Sequence, residues 1–206
     1  MPEPIQEFLQ FLSQAIPADL QRQGQVLGLM ILVLWGLELL DELFLNHALN
    51  RLGIRPRTLR GLQGVLWAPL LHGDFQHLAA NTMPLLILGW FVLLSGLEPF
   101  VIVTLTIWLF SGLGVWLVGR PRSNHIGASS IVFGYLGFLL LRGYLDRSPM
   151  AVSLAAMAGL LYGGMIWGVL PLQRGSSWEG HLCGFLGGAL AAYYFAELSQ
   201  LPRFNL

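Results

Sequence analysis

The stretch LEPFVIVTLTIWLFSGLGVWLV, residues 97–118, holds 22 residues, of which only Glu98 is charged. A helix that crosses the hydrocarbon core of a bilayer needs about 20 mostly apolar residues, so this stretch predicts a membrane-spanning helix. The rest of the chain agrees: of its 206 residues, 55% are hydrophobic and 11% are charged, with a mean hydropathy of +0.64. A soluble domain carries about 25% charged residues, so the bilayer is the natural solvent for this chain.

Five further stretches are apolar enough to span, which predicts an all-α polytopic membrane protein with six transmembrane helices. The six run over residues 26–45, 78–94, 97–118, 126–141, 149–170 and 178–198. The fourth is short and cannot reach both interfaces unaided, so its start is expected in a protein-lined dip. We expect a juxtamembrane segment over residues 1–25, a six-helix membrane domain over 26–198 and a C-terminal tail over 199–206.

The charges and the N-terminus bear on partners and location. The 11 basic residues are all arginine and balance 11 acidic residues. Binding to nucleic acid needs a basic face, so we expect no nucleic-acid partner. Cys183 is the one cysteine and cannot form an intrachain disulfide.

The first residues lack the basic start and long apolar core of a secretory signal and carry a single apolar face of the kind found on a short capping helix. Without a presequence, we expect an integral protein of a prokaryotic plasma (inner) membrane.

The longest connection between predicted helices covers residues 46–77, between the first two. Loops beyond about 15 residues are usually functional or disordered. The semi-apolar run at residues 62–71, which includes Trp67, favours a structured loop that dips partly into the membrane. With a cytoplasmic N-terminus, the arginines outside would be Arg51, Arg55, Arg57, Arg60, Arg120, Arg122 and Arg174, and those inside Arg22, Arg142, Arg147 and Arg203. The positive-inside rule prefers the opposite orientation.

Ser129 is the candidate nucleophile, because it falls in the first turn of the fourth predicted helix, within HIGASSIVFG of residues 125–134. Backbone N–H groups are unpaired in a first helical turn, and the helix dipole favours negative charge there. A nucleophilic serine needs a base for its proton and donors for the oxyanion. On periodicity alone, a serine at this position is more often a helix N-cap.

His181 is the candidate base, at the start of the sixth predicted helix within EGHLCGFLGG of residues 179–188. Small residues let two membrane helices approach closely, and such a contact would bring His181 to Ser129. The glycines expected in it are Gly127, Gly134, Gly184 and Gly188. Phe133, one turn after Ser129, can stack on the imidazole. No carboxylate is placed to orient His181, so a Ser–His dyad is the simpler reading, and a buried structural histidine is the alternative.

A third cluster precedes and opens the second predicted helix. His77 and Asn81 are four residues apart and share one helical face, so both could donate hydrogen bonds to an oxyanion. They could also merely fasten the loop to the helix. His72 is interpreted as a structural hydrogen bonder. A zinc site built from His72, His77, His125 and His181 is open but lacks a His-Glu-x-x-His motif, so we expect no metal.

Taken together, these motifs resemble the rhomboid family of intramembrane serine proteases. The family pattern has a histidine before His-x-x-x-Asn at the second helix, Gly-x-Ser-Gly at the start of the fourth, and His-x-x-Gly-x-x-x-Gly in the sixth. The matching residues are His72, His77, Asn81, Gly127, Ser129, His181, Gly184 and Gly188. Order, spacing and placement agree over residues 60–195. Ser130 departs from the pattern, because the family usually has glycine there.

The resemblance implies a six-helix, cofactor-free endopeptidase that cleaves transmembrane segments of other membrane proteins. It implies Ser129 as nucleophile, His181 as base, and His77, Asn81 and the Ser129 N–H as oxyanion donors. It also implies a cytoplasmic N-terminus, which we adopt against the arginine count, and a gate made of the fifth helix and the loop at residues 173–178. Ser130 leaves open a catalytically impaired, client-binding relative.

A small transporter is the other alternative. It would need paired intramembrane charges along a path, which the sequence does not offer. The acidic residues Glu38, Asp41 and Glu42 all lie in the first predicted helix, without a basic partner in the apolar segments.

Overall fold

The computed structural model describes Gln6, residues 17–172 and residues 177–195. Most described residues are helical, and the longer helices are α1 (Ala18–Leu40), α2 (Phe75–Leu93), α3 (Leu97–Val118), α4 (Ser129–Asp146), α5 (Pro149–Tyr162) and α6 (Trp178–Tyr193). The predicted N-terminal capping helix, the C-terminal tail and most of the 173–178 loop lie outside the described residues. The predicted boundaries of the membrane domain stay a prediction.

The helix bounds agree with the sequence prediction for α3 and differ elsewhere for local reasons. Helix α1 begins eight residues earlier than predicted, because residues 18–25 are mostly polar but consist mainly of good helix formers. It passes into a π-helical turn, Asp41–Leu45, and ends at Asn46 in the left-handed conformation. Helix α4 begins at Ser129 and not at residue 126, because Gly127 has a φ of 118° that a helix cannot contain.

Helix α5 also departs from the predicted continuous span. Its α-helical part ends at Tyr162, and the chain continues as a 3₁₀ helix, Gly163–Val169. Gly163 and Gly164 open this tighter segment, and glycine is a weak α-helix former.

Three helical segments among the described residues are long and apolar enough to cross a bilayer: Phe75–Leu93, Leu97–Val118 and Pro149–Val169. The other long helices fall short of that measure in length or apolar character. The prediction of six spanning helices therefore stays a prediction.

Helix α4 lies at the centre of the fold. Tyr135, Leu136 and Phe138 are fully buried in it, and it contacts α2, α3, α5 and α6. Its contact with α6 depends on missing side chains: a Cβ added at Gly184 would overlap the Ser130 carbonyl, and one at Gly188 the Gly134 carbonyl. Membrane helices associate through such close backbone packing.

The connection between α1 and α2 is structured, as predicted. It contains the short helices Leu49–Leu52, Leu59–Leu62, Gly64–Trp67 and Ala68–Leu70. Two tryptophans of α3 hold it, because Trp108 donates to the Val65 carbonyl at 2.8 Å and Trp116 to the Thr58 carbonyl at 2.9 Å. Leu59, Leu66 and Trp67 are exposed on its outer face. Its insertion into the bilayer stays a prediction.

Candidate active site

Ser129 is presented at the first turn of the buried helix α4. Ala128 is the N-cap and Gly127 turns the chain into the helix. Only glycine adopts the φ of Gly127 without strain, and a Cβ there would meet the His77 ring at 2.7 Å. Among the described residues, the Ser129 N–H has no hydrogen-bond acceptor, which is expected of a first-turn amide. Ser129 thus combines a hydroxyl with an available backbone donor.

The imidazole of His181 lies beside that hydroxyl. Its Nε2 is 3.1 Å from Ser129 Oγ, and its Nδ1 is 3.0 Å from the carbonyl oxygen of Gly168. A carbonyl can only accept, so Nδ1 carries the proton and donates to Gly168. Nε2 of the neutral ring is then an acceptor, and the Ser129 hydroxyl donates to it. Gly168 takes the orienting position for which the sequence offered no carboxylate.

Two further contacts hold the plane of the His181 ring. Phe133 stacks on it with ring centroids 4.1 Å apart and an interplanar angle of 7°, as the spacing from Ser129 suggested. Gly168 packs on the same rings, because a Cβ added to it would lie 2.8 Å from Phe133 and 3.4 Å from His181 Nδ1. The 3₁₀ segment after α5 therefore contributes both a hydrogen bond and close backbone packing to the site.

The glycines expected between the fourth and sixth helices divide into two groups. Gly184 and Gly188 lie in the α4–α6 contact, where Gly188 packs on the Gly134 carbonyl, whereas a Cβ added to Gly134 itself would meet Ile107 of α3. Gly127 does not lie in the α4–α6 contact, and that part of the prediction is wrong. It lies beside His77, because the chain has not yet entered α4 at that point.

His77 and Asn81 lie one turn apart at the start of α2, close to Gly127. His77 Nδ1 accepts from the Gly73 N–H at 3.5 Å, so its Nε2 carries the proton, on the side that faces Gly127. Asn81 Nδ2 donates to the His77 carbonyl at 3.1 Å and is 7% exposed. Its amide has a second N–H. Both side chains can therefore offer a donor beside Gly127, two residues before Ser129.

His72 supports the turn that leads into Ser129. Its ring is 1% exposed, and its Nε2 accepts from the Ala128 N–H at 3.3 Å. Burial, together with the neighbouring His77 and against an opposing effect of Asp74, lowers the pKa of His72 to about 4. The ring is therefore neutral at pH 7, as an acceptor at Nε2 requires. Sequence interpretation as a structural hydrogen bonder matches this contact.

A small cavity lies directly beside Ser129. A cavity of about 20 Å³ adjoins Ser129 and Ser130 and reaches Ser111 and Ser177, which is room for one water molecule. Within the described part of the chain, no three His, Cys, Asp or Glu side chains gather closely enough to hold a metal ion. His125, one member of the open zinc alternative, instead bonds to two serines.

Comparison with known proteins gives the family. The model of the rhomboid domain matches residues 60–198. The chain belongs to the rhomboid family. An uncharacterized protein of Mycobacterium tuberculosis is 42% identical over 188 residues, which cover 87% of this rhomboid and 78% of the relative. An uncharacterized protein of Mycobacterium leprae is 40% identical over 179 residues, or 83% and 70% of the two chains.

A more distant relative, from Acanthamoeba polyphaga mimivirus, is named as a rhomboid protein and is 25% identical over 138 residues. These cover 64% of this chain and 72% of the viral one. Family membership and the apolar helices together make this rhomboid a membrane protein.

Two contributors to the site escaped sequence interpretation. Gly168 carried no signal, because any residue offers a carbonyl and only the fold brings this one to His181. Ser177 also carried none, although it lies four residues before His181 and bonds to His125. The signal that could have found the His125–Ser177 pair is the position of His125 just before the serine motif, where the structure shows it buried.

Proposed function

We propose that this rhomboid is an intramembrane serine endopeptidase that cleaves transmembrane segments of other membrane proteins. The observation that carries the proposal is the contact between Ser129 and His181, in which the 3.1 Å bond joins a hydroxyl donor to a ring nitrogen held in the accepting tautomer. A hydroxyl is a weak nucleophile until a base removes its proton. His181 meets that need without a carboxylate.

In the first step, Ser129 Oγ attacks the scissile carbonyl carbon and its proton passes to His181 Nε2. The resulting imidazolium keeps its Nδ1–H bond to the Gly168 carbonyl, which stabilises the added charge. The carbonyl oxygen becomes an oxyanion that accepts from the Ser129 N–H and from the donors of His77 and Asn81. Each such donor contributes about 10²–10³ in rate where others do not compensate.

The tetrahedral intermediate then collapses. The carbon–nitrogen bond breaks, His181 gives its proton to the leaving amine, and Ser129 is left as an acyl ester. A water molecule, for which the adjoining cavity has room, gives a proton to His181 and attacks the ester carbonyl. Collapse of the second intermediate returns the proton to Ser129 and releases the acid.

The proposed substrates, membrane and gate follow from membership of the rhomboid family. The substrates would be single membrane-spanning segments, and the protein would work in a prokaryotic plasma membrane with its N-terminus in the cytoplasm. Helix α5 is the natural gate, because only Ala151 and Ala158 are buried in it. An element with few buried contacts opens at low cost.

Incubation of the full-length protein with a panel of single-span substrates, followed by mass mapping of the products, tests the proposal. Ser129→Ala should abolish cleavage and labelling by a fluorophosphonate while the melting temperature is retained. Ser130→Ala is the matched control and should keep both, because position 130 lies about 100° around the helix. His181→Ala should be as inactive as Ser129→Ala, since the hydroxyl then has no base.

Two results would contradict the assignment. Loss of activity in Ser130→Ala with retention in Ser129→Ala would move the nucleophile to the neighbouring residue. Wild-type protein that neither cleaves any substrate nor reacts with the fluorophosphonate would favour a client-binding, non-catalytic rhomboid.

A further inference from the structure

A second serine–histidine cluster lies next to the candidate dyad. His125 precedes Ser129 by four residues and is 5% exposed. Its Nδ1 is 2.5 Å from Ser177 Oγ, and its Nε2 is 2.7 Å from Ser123 Oγ. The mechanism above uses none of these three side chains, although Ser177 immediately precedes the helix that carries His181.

The direction of each hydrogen bond follows from the donors available. Ser123 Oγ donates its one proton to the Arg120 carbonyl at 2.6 Å, so towards His125 it can only accept. The His125 proton is therefore on Nε2 and points at Ser123, which leaves Nδ1 as an acceptor. The hydroxyl of Ser177 donates to that nitrogen. Burial lowers the pKa of His125 and Arg120 lowers it further, against an opposing effect of Glu179, so the ring keeps its acceptor at pH 7.

These bonds join the two halves of the candidate site. The carbonyl of Ser177 accepts from the His181 N–H at 3.1 Å. On the other side, the backbone of His125 exchanges two hydrogen bonds with Ile54, at 2.9 and 3.0 Å. A continuous polar path thus runs from the loop that presents Ser129, through His125 and Ser177, to the backbone of His181.

This path holds the start of α6 just before the glycine-mediated contact with α4 begins. Gly184, the first glycine of α6 packed on an α4 carbonyl, lies three residues after His181. A parallel tie joins the same two segments: Arg120 Nε is 3.0 Å from the buried carboxylate of Glu179. Buried polar bonds of this kind specify one geometry, because breaking one leaves an unpaired group.

We propose that His125 is a positioning residue: by accepting from Ser177, it holds His181 at bonding distance from Ser129. The inference rests on the proposed proteolytic function and adds a residue pair to it. A displacement of about 1 Å between reacting groups costs on the order of 10²-fold in rate. Loss of the His125–Ser177 bond should therefore lower kcat and leave KM unchanged.

Two amide variants separate the two ring nitrogens. In His125→Asn the amide oxygen falls near the position of Nδ1 and can accept from Ser177. In His125→Gln the amide lies near the position of Nε2 and reaches Ser123 only. We expect kcat about 10- to 100-fold lower in His125→Gln and in Ser177→Ala, with the rate of fluorophosphonate labelling at Ser129 lowered by the same factor. His125→Asn should stay close to wild type, and the double variant His125→Gln/Ser177→Ala should be no worse than either single variant.

Overturning results are distinct from those for the proposed function. The positioning role would be overturned by wild-type kcat and labelling in His125→Gln and Ser177→Ala, or by losses that only follow the folded fraction. The proposed function would still stand if Ser129→Ala is inactive. Should the wild type itself show no activity, ¹⁵N NMR of the imidazoles still decides. The proposal requires the His181 ring signals to shift in His125→Gln and Ser177→Ala but not in His125→Asn; unchanged signals in all three would refute it.

Discussion

Replacement of Gly184 by alanine tests the geometry of the candidate site without changing any of its reacting groups. Gly184 lies three residues after His181 in α6, and its missing side chain allows α6 to pack on the backbone of α4. A Cβ at this position would lie 2.8 Å from the carbonyl carbon of Ser130 and 2.9 Å from its Cα. Both partners are backbone atoms, so no side-chain rotation can relieve the overlap.

The size of the effect follows from these distances. Ordinary van der Waals contact begins at 3.4 Å, so the carbonyl carbon alone requires the two helices to separate by about 0.6 Å, and the carbonyl oxygen of Ser130, which is nearer, requires more. The bond between Ser129 Oγ and His181 Nε2 starts at 3.1 Å, and such an increase takes it beyond hydrogen-bond length. We therefore expect kcat to fall by about 10- to 100-fold and the free energy of unfolding to fall by about 1–3 kcal/mol.

The assay is cleavage of a single-span substrate under conditions in which thermal melts show the variant to be folded. Gly36→Ala is the matched control, because nothing lies within 4 Å of an added Cβ there. In the interior of α1 it should keep wild-type kcat and gain up to about 1 kcal/mol of stability. A Gly184→Ala protein with wild-type kcat would refute the claim that this contact sets the Ser129–His181 distance.

Three further predictions concern the neighbours of Ser129. Asn81→Ala and His77→Ala should each lower kcat more than substrate affinity, by up to about 10²–10³-fold; activity that tracks only the folded fraction would remove them from the oxyanion site. His72 has a pKa of about 4 against an ordinary 6.5, so the unfolded chain binds more protons between these values. The contribution of the neutral His72 ring to stability is complete above pH 6.5 and should fall as the pH approaches 4. Thermal melts at pH 7 and 5 should show a smaller loss of stability in His72→Gln than in the wild type, because glutamine keeps an acceptor but does not titrate. Ser130→Gly, which restores the usual family residue, should match or exceed wild-type kcat, and a large loss would show that the hydroxymethyl group is needed.

The sequence allowed much of the helical scaffold to be predicted, because apolar content is a local property of the chain. Helix α3 has the predicted bounds, and the loop between α1 and α2 is structured as expected. The errors arose where polar residues extend a helix, as before residue 26, or where a backbone angle ends one, as at Gly127. Neither feature alters apolar content, and any glycine can take either sign of φ.

The sequence by itself determined that the chain needs a bilayer and that Ser129 and His181 are the residues to examine. It also indicated that glycines of α4 and α6 allow a close helix contact, because spacing and residue size are written in the chain. The tertiary structure alone decided which groups orient the imidazole. Gly168 meets His181 across 13 residues, and Ser177 meets His125 across 52. Such contacts depend on how separate segments pack, and hydrogen bonds between them leave no local pattern from which they could be predicted.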